Sequence, residues 1–237
     1  MAEPLVLVTA SGLAREALAV IRTHGLFDVV GIVDDDEALH GTSVDGVPVL
    51  GPLEALAGRR DAQVLVCAGK GRAREAIVDR LDALGVGPTR YATLVHPGVE
   101  VPDGCAVGDG SIVLAGVVLT TAVTLGVHVV VMPNVTLTHD CVVQDFGTLC
   151  AGVALGGGVV VGRGAYVGMN AGVREHRRVG AYATVGMGAV LLRDAPDGET
   201  WAGVPARPRG TDNVRARHRV PADAAGAPTD DEGAVVR

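Results

Sequence analysis

The sequence predicts a chain in two parts: a small parallel α/β sheet over residues 1–94, then a parallel β-solenoid with triangular coils over residues 95–207. Three observations point there. The first third alternates short apolar runs with turns and helical patterns. From Val95 onward every sixth residue is Val or Leu, seventeen times in succession. The composition is 48% hydrophobic but only 3% aromatic, with 34 glycines in 237 residues, which suits an interior too narrow for large rings.

In the first part, Leu5–Thr9 reads as a buried strand, Ala10-Ser11-Gly12 as a turn and Ala14–Thr23 as a helix. A second strand over Val29–Val33 runs into Asp34-Asp35-Asp36. Gly46–Gly51 and Leu53–Ala57 suggest a further strand and a short helix. Val64–Cys67 is another strand, followed by Gly69-Lys70-Gly71 and a helix over Ala73–Leu84. Strands alternating with helices imply parallel pairing. Ligands of such sheets sit at the carboxyl ends of the strands, which here carry Ser11-Gly12, Asp34-Asp35 and Gly69-Lys70. No GxGxxG run is present, so a dinucleotide is not expected. The helix start after Gly12 suits an anion such as a nucleotide diphosphate, or is simply a tight turn.

In the second part the period is six, which is neither helical (3.6) nor that of a simple strand (2). Each hexad is a short strand and a corner. Its aliphatic residue faces inward, and the residue four places on is small or medium, with Arg177 the exception. Three hexads complete a coil, so residues 18 apart stack at about 4.8 Å. Glycines that follow the aliphatic position, such as Gly126, Gly162, Gly168 and Gly186, are expected to ease the corners. The uncharged stretch 111–135 is long enough to resemble a membrane span, but it stays in register with charged hexads on both sides.

The net charge of −7 and the lack of a basic stripe argue against nucleic acid. The opening MAEPLVLVTASG has no basic segment or cleavage site, and the four cysteines form no CxxC pair; together these predict a cytoplasmic, reduced protein with no membrane partner. Residues 208–237, rich in Pro, Ala, Gly and charge, are expected to form a flexible tail.

A base for acyl or proton transfer is most simply a neutral imidazole. His139 lies on the outward side of its hexad, in Thr138-His139-Asp140-Cys141, where Asp140 is placed to fix the ring's tautomer. Eighteen residues on lies Gly157, whose bare backbone leaves space beside the ring and whose N–H is available to an oxyanion. Glu175 and Arg193 continue the column. Arg174, Arg177 and Arg178 nearby are either a seat for phosphates or a solvated charged corner. An outward histidine on a solenoid is otherwise a plain surface residue. Cys105 and Cys141 fall on inward positions, which excludes them as nucleophiles. A zinc site built from His128, His139 and His176 is hard to assemble, since His139 and His176 lie two coils apart on one side and His128 on another; no metal is expected.

Residues 5–207 resemble the nucleotide-sugar amine N-acetyltransferase family, which includes sialic acid O-acetyltransferase-like proteins. The likeness is carried by Val8-Thr9-Ala10-Ser11-Gly12, Gly31-Ile32-Val33-Asp34-Asp35, Gly46–Gly51, Leu94-Val95-His96-Pro97, Thr138-His139-Asp140-Cys141, Gly168-Met169 and Gly203-Val204-Pro205-Ala206-Arg207. The resemblance implies a Rossmann-like domain followed by a left-handed β-helix of hexapeptide repeats, a homotrimer, and acetyl-CoA as co-substrate. It implies His139 as general base, Asp140 as its acidic neighbour and Gly157 as oxyanion donor. The nucleotide of the sugar substrate would lie at Ser11, Gly12, Asp34, Asp35, Gly69 and Lys70. The cofactor groove would include Gly157, Thr148, Gly168, Arg174, Arg178, Gly186 and Pro205. Two positions depart from the family pattern: Leu13 and Thr148 stand where relatives commonly carry histidines. The same fold acylating a sugar hydroxyl or a free amine of secondary metabolism, and a trimeric nucleotide-binding scaffold without catalysis, are the competing readings. Trp201 and Tyr182, rare aromatics near the last coils, are expected to flank the cofactor.

Overall fold

The computed structural model describes residues 2–209. Five strands form the first sheet: β1 (Pro4–Val8), β2 (Asp28–Val33), β3 (Ser43–Val44), β4 (Val47–Gly51) and β5 (Gln63–Val66), in the order β3-β4-β2-β1-β5. All pairings are parallel except the hairpin of β3 with β4, an edge too short to show a period in the sequence. Helix α1 (Gly12–His24) starts where Ser11 caps the N–H of Ala14 and stops at left-handed Gly25. Helix α2 (Gly71–Ala83) follows β5. Alternation along β1 assigns the two helices to opposite sides: Leu5 and Leu7 pack with Ala14, Leu18 and Ile21 of α1, whereas Val6 and Val8 pack with Val78 and Leu81 of α2.

From Leu94 the chain winds a parallel β-helix of two-residue strands on three faces. Face 1 stacks Ile112–Val113, Val130–Val131, Thr148–Leu149, Tyr166–Val167 and Thr184–Val185. Face 2 stacks Val118–Leu119, Thr136–Leu137, Ala154–Leu155, Gly172–Val173 and Val190–Leu191. Face 3 stacks Ala106–Val107, Thr124–Leu125, Val142–Val143, Val160–Val161 and Arg178–Val179. Every one of these ladders pairs residues 18 apart, as the hexad arithmetic requires. The aliphatic positions are almost all buried, from Val113 to Leu191. In the first coil Val95 and Val107 are half-buried, and Val101 is 42% exposed and forms no strand, because that coil has no complete layer above it.

The corners work differently from the expectation. Glycines just after the aliphatic residue do not turn the chain; they let successive coils approach. A Cβ at Gly162 would sit 2.6 Å from the Ala181 nitrogen. The turning residues stand three places beyond the aliphatic one and adopt positive φ, at Ala122, His128, Asn134, Asp140, Phe146, Asn170, His176 and Tyr182 as well as at glycines. At the far end Trp201 joins the interior cluster and its indole N–H donates to Glu199, so it closes the β-helix rather than lining an open groove. Pro208 and Arg209, expected in the tail, complete a strand, Arg207–Arg209, paired antiparallel with Thr200–Ala202; the rest of the expected tail lies outside the described residues.

Face 1 carries the first domain. The outward residues Ile112, Val130 and Thr148 are buried beneath it. His128 is wedged into the seam, edge-on to Tyr91 and stacked on Phe146, with ring centroids 4.5 and 5.3 Å away. Its Nδ1 meets no hydrogen-bond partner among the described residues. Burial, with Arg74 adding to it, drives the imidazole from 6.5 down to about 4. Above pH 6.5 the ring is neutral in both folded and unfolded chains. Below it the unfolded chain gains a proton the folded chain refuses, so stability falls until the pH passes about 4. The full loss is about 3 kcal/mol. In urea unfolding, wild type is expected to lose this stability between pH 7 and pH 4 and His128→Phe to lose distinctly less, since Phe146 and Tyr182 already occupy equivalent corners. Equal pH dependence in the two proteins would refute the assignment.

Candidate functional site

Two constellations emerge, on opposite sides of the β-helix. The first is the corner between faces 2 and 3. Asp140 takes the left-handed turn position, φ 61°, and this folds its carboxylate back beside the preceding side chain. His139 Nδ1 and Asp140 Oδ2 are 2.8 Å apart, and both side chains are more than half exposed. The carboxylate therefore favours the tautomer with hydrogen on Nδ1, leaving Nε2 as an acceptor. One coil on, a Cβ at Gly157 would fall 2.3 Å from that Nε2, so the ring rests on bare backbone. The corner is laced by Gly158 N–H to the His139 carbonyl and His176 N–H to the Gly157 carbonyl, bonds that do not engage the Gly157 N–H. His139, Asp140 and Gly157 are thus brought together as the 18-residue spacing requires.

Further along this corner, Arg174 pairs with Glu175 at 3.0 Å and Arg177 with Asp194 at 3.7 Å. The Arg174 guanidinium holds the Glu175 carboxyl below its ordinary value. The Arg178 backbone N–H, rather than its side chain, bonds Asp194. Beside the corner, face 2 presents a shallow groove lined by Thr136, Thr138, Gly156, Gly172, Val190 and Leu192 among others, with Arg174 as its charged residue.

The second constellation is a cavity of about 270 Å³ between the first domain and face 1. Gly12, Leu13 and Glu16 of α1, and Gly69 and Lys70 after β5, form one wall. Val130, Met132, Thr148, Cys150 and Tyr166 of the β-helix form the other. It adjoins a second hollow that shares Lys70 and Tyr166 and continues to Arg72, Tyr182 and Thr184. Arg72 lies over the Tyr182 ring at 4.2 Å, and the Tyr182 hydroxyl donates to Glu75.

The expected binding residues divide between these places. Gly12, Gly69 and Lys70 line the cavity. The Ser11 hydroxyl is committed, donating to the Cys67 carbonyl at 2.6 Å and accepting from Ala14 N–H. Asp34 closes the turn by accepting from the N–H groups of Ala10 and Asp36. Asp35 is held by both terminal nitrogens of Arg80, which keep its carboxyl below the usual range. Thr148, Gly168 and Gly186 belong to the face-1 side, far round the coil from His139. Gly168 is required for coil stacking, since its Cβ would meet the Met187 nitrogen at 2.6 Å. Pro205 follows a cis bond in the terminal hairpin.

Three features were not anticipated from sequence. Thr9, a β-branched residue at the end of β1, has φ 77°, and its buried hydroxyl finds no partner among the described residues. Arg74 is completely buried. Its position was legible in principle, because Gly71, Arg74, Val78 and Leu81 follow the spacing of a buried helix stripe. Tyr166, whose hydroxyl is pushed up to about 12 by its bond to Cys150 and by burial, gave no signal. Among the described residues no group of three or more His, Cys, Asp or Glu is arranged to hold a metal ion, and no helix is long and apolar enough to cross a membrane.

Comparison with known proteins matches residues 4–81 to the PglD N-terminal domain. The acetyltransferase domain of PglB from Neisseria gonorrhoeae FA1090 is 30% identical with a TM-score of 0.79, over 87% of this chain and 100% of that one. PerB from Caulobacter crescentus, solved in complex with CoA and GDP-perosamine, is 29% identical with a TM-score of 0.77, over 87% and 97%. Among curated proteins, UDP-3-O-acylglucosamine N-acyltransferase of Caulobacter sp. (strain K31) is 37% identical over 135 residues, 52% of this chain and 36% of its own. The chain matches only about a third of the length of such curated relatives.

Proposed function

Because the chain belongs to the nucleotide-sugar amine N-acetyltransferase family of left-handed β-helix acyltransferases, we propose that it transfers the acetyl group of acetyl-CoA to the amine of a nucleotide-linked amino sugar. The observation that carries this reading is the pairing of His139 with Asp140 over the bare backbone of Gly157. His139 Nε2 takes the proton as the amine nitrogen bonds to the thioester carbonyl carbon. The Gly157 N–H receives the carbonyl oxygen as it gains charge. When the carbon–sulfur bond breaks, the imidazolium returns its proton to the leaving thiolate. No acyl-enzyme is needed, since Cys141 is buried and its thiol bonds the Gly156 carbonyl.

The acceptor's nucleotide is assigned to the cavity at Gly12, Gly69 and Lys70, where the α1 N-terminus and a lysine favour a diphosphate. Acetyl-CoA is assigned to the His139 corner, with Gly157 beside the thioester and Arg174 and Arg178 near the phosphates. In one chain these lie on opposite sides of the β-helix, for the corner between faces 2 and 3 is the vertex opposite face 1. A complete site therefore takes His139 from one copy and the cavity from another. Face 2 supports side-by-side packing of copies, as its outward residues Val118, Thr136, Ala154, Gly172 and Val190 are small and uncharged. A closed ring of three satisfies every such contact.

Thiol release from acetyl-CoA with a panel of nucleotide-linked amino sugars tests the reaction. Turnover of at least one panel member with loss of its amine is expected; release only with hydroxyl acceptors, or with none, refutes the amine reading. Gly157→Ala is a sharper probe. Its methyl must push the His139 ring out of place, so the rate is expected to fall about 10²-fold while the unfolding midpoint hardly moves. Full speed in the Gly157→Ala variant would show that the ring's seat on this backbone is irrelevant.

A further inference from the structure

Arg74 is the largest fully buried side chain among the described residues, and no carboxylate pairs with it there. Its charge is held by oxygen dipoles alone. Nε donates to the His128 carbonyl at 3.0 Å, and Nη1 to the carbonyls of Ala68 and Gly69 at 2.7 and 3.0 Å. Nη2 lies 2.8–2.9 Å from the carbonyls of Phe146 and Gly147 and from Thr148 Oγ1. One guanidinium thus ties the loop after β5 to two successive coils of the β-helix. The Thr148 hydroxyl accepts from Arg74 and donates to the Gly69 carbonyl at 3.0 Å, so its proton is spent within the protein.

These contacts converge on the cavity, since Gly69, Lys70 and Thr148 line it. We propose that Arg74 is the positioning residue of the acceptor pocket: it fixes the Gly69–Lys70 loop against Thr148 and sets an unpaired positive charge behind the seat of a nucleoside diphosphate. The proposal rests on the nucleotide reading of this cavity. A planar fork with five donors is required, because a lysine keeps the charge but cannot span carbonyls on two elements. The pocket is then preformed, and its affinity for the anion depends on a side chain that never touches it.

Calorimetric titration of the full chain with UDP, GDP and dTDP, and separately with acetyl-CoA, tests this. Wild type is expected to bind one of the nucleotides. Arg74→Lys should bind that nucleotide about tenfold more weakly, the loss of one or two well-placed hydrogen bonds, with acetyl-CoA affinity within about twofold. If Arg74→Lys binds the nucleotide as wild type does, or loses both ligands equally, the positioning role is wrong while the nucleotide reading stands. If wild type binds none of the three, the nucleotide reading fails and the proposal with it. Should Arg74→Lys not fold, Thr148→Val decides, because it cuts the Arg74–Thr148–Gly69 link with little change of shape. It is expected to weaken the nucleotide about threefold, and unchanged affinity overturns the proposal.

Discussion

His139→Asn is expected to slow acetyl transfer about 10²–10⁴-fold, the usual contribution of a positioned general base. The KM values and the unfolding midpoint should stay near those of wild type. The side chain is 58% exposed and its one polar partner among the described residues is Asp140, so nothing in the core depends on it. The backbone bond from Gly158 to the residue-139 carbonyl survives the change. The pH profile separates a base from a surface residue: the acid limb of kcat/KM, which reports the base in free enzyme, should vanish in the variant. Steady-state rates of thiol release from pH 5.5 to 9 make the check. Full activity in His139→Asn would remove the base from this corner whatever the substrate.

Gly71→Ala is expected to cost stability on the order of 3 kcal/mol, the upper end for overpacking. The methyl would meet the Phe146 carbonyl oxygen at 2.2 Å and Gly164 Cα at 2.8 Å. Both obstacles are backbone of the β-helix, so no rotamer change relieves them. The start of α2 must retreat, and Arg74, three residues on, loses its reach to Phe146 and Gly147. Gly12→Ala is the control. It too begins a helix, yet a Cβ there meets nothing within 4 Å, so its unfolding midpoint should hold. Urea unfolding of the two variants distinguishes a tight seam between the domains from a loose one. Equal, small effects would mean the domains do not pack as closely as these distances require.

The part of the fold that reads directly from sequence is the part built from local repetition. Each inward Val or Leu reports its coil without reference to distant residues, so the strands, the three faces and the 18-residue register follow by counting. The stacking of Gly157 on His139 follows by the same count. Other features resist for physical reasons. The left-handed corners are filled by Gly, Ala, Asn, Asp, His, Phe and Tyr in turn, because an outward corner constrains φ but not side-chain size. No residue type marks them. The seam is harder still. His128, Tyr91 and Phe146 meet across two domains, and Arg74 bonds residues 54 to 74 positions away, so only the folded chain brings them together. The same distance hides the cavity, whose walls come from α1, the loop after β5 and face 1. Trp201 misled for a simpler reason: scarcity near the last coils suggested a ligand, but a large ring is also what closes an open end of a narrow core.

A site shared between copies of the chain is the claim most exposed to a single measurement. His139→Asn keeps the cavity and loses the base; Lys70→Glu keeps the base and puts a negative charge where the diphosphate is assigned. Each alone should be nearly inactive. After the two are unfolded together in equal amounts and refolded, thiol release with the preferred acceptor should return to about a quarter of the wild-type rate, the share of contacts that join an intact His139 to an intact cavity. Mixed oligomers that form, as shown by mass, but stay inactive would contradict the shared site.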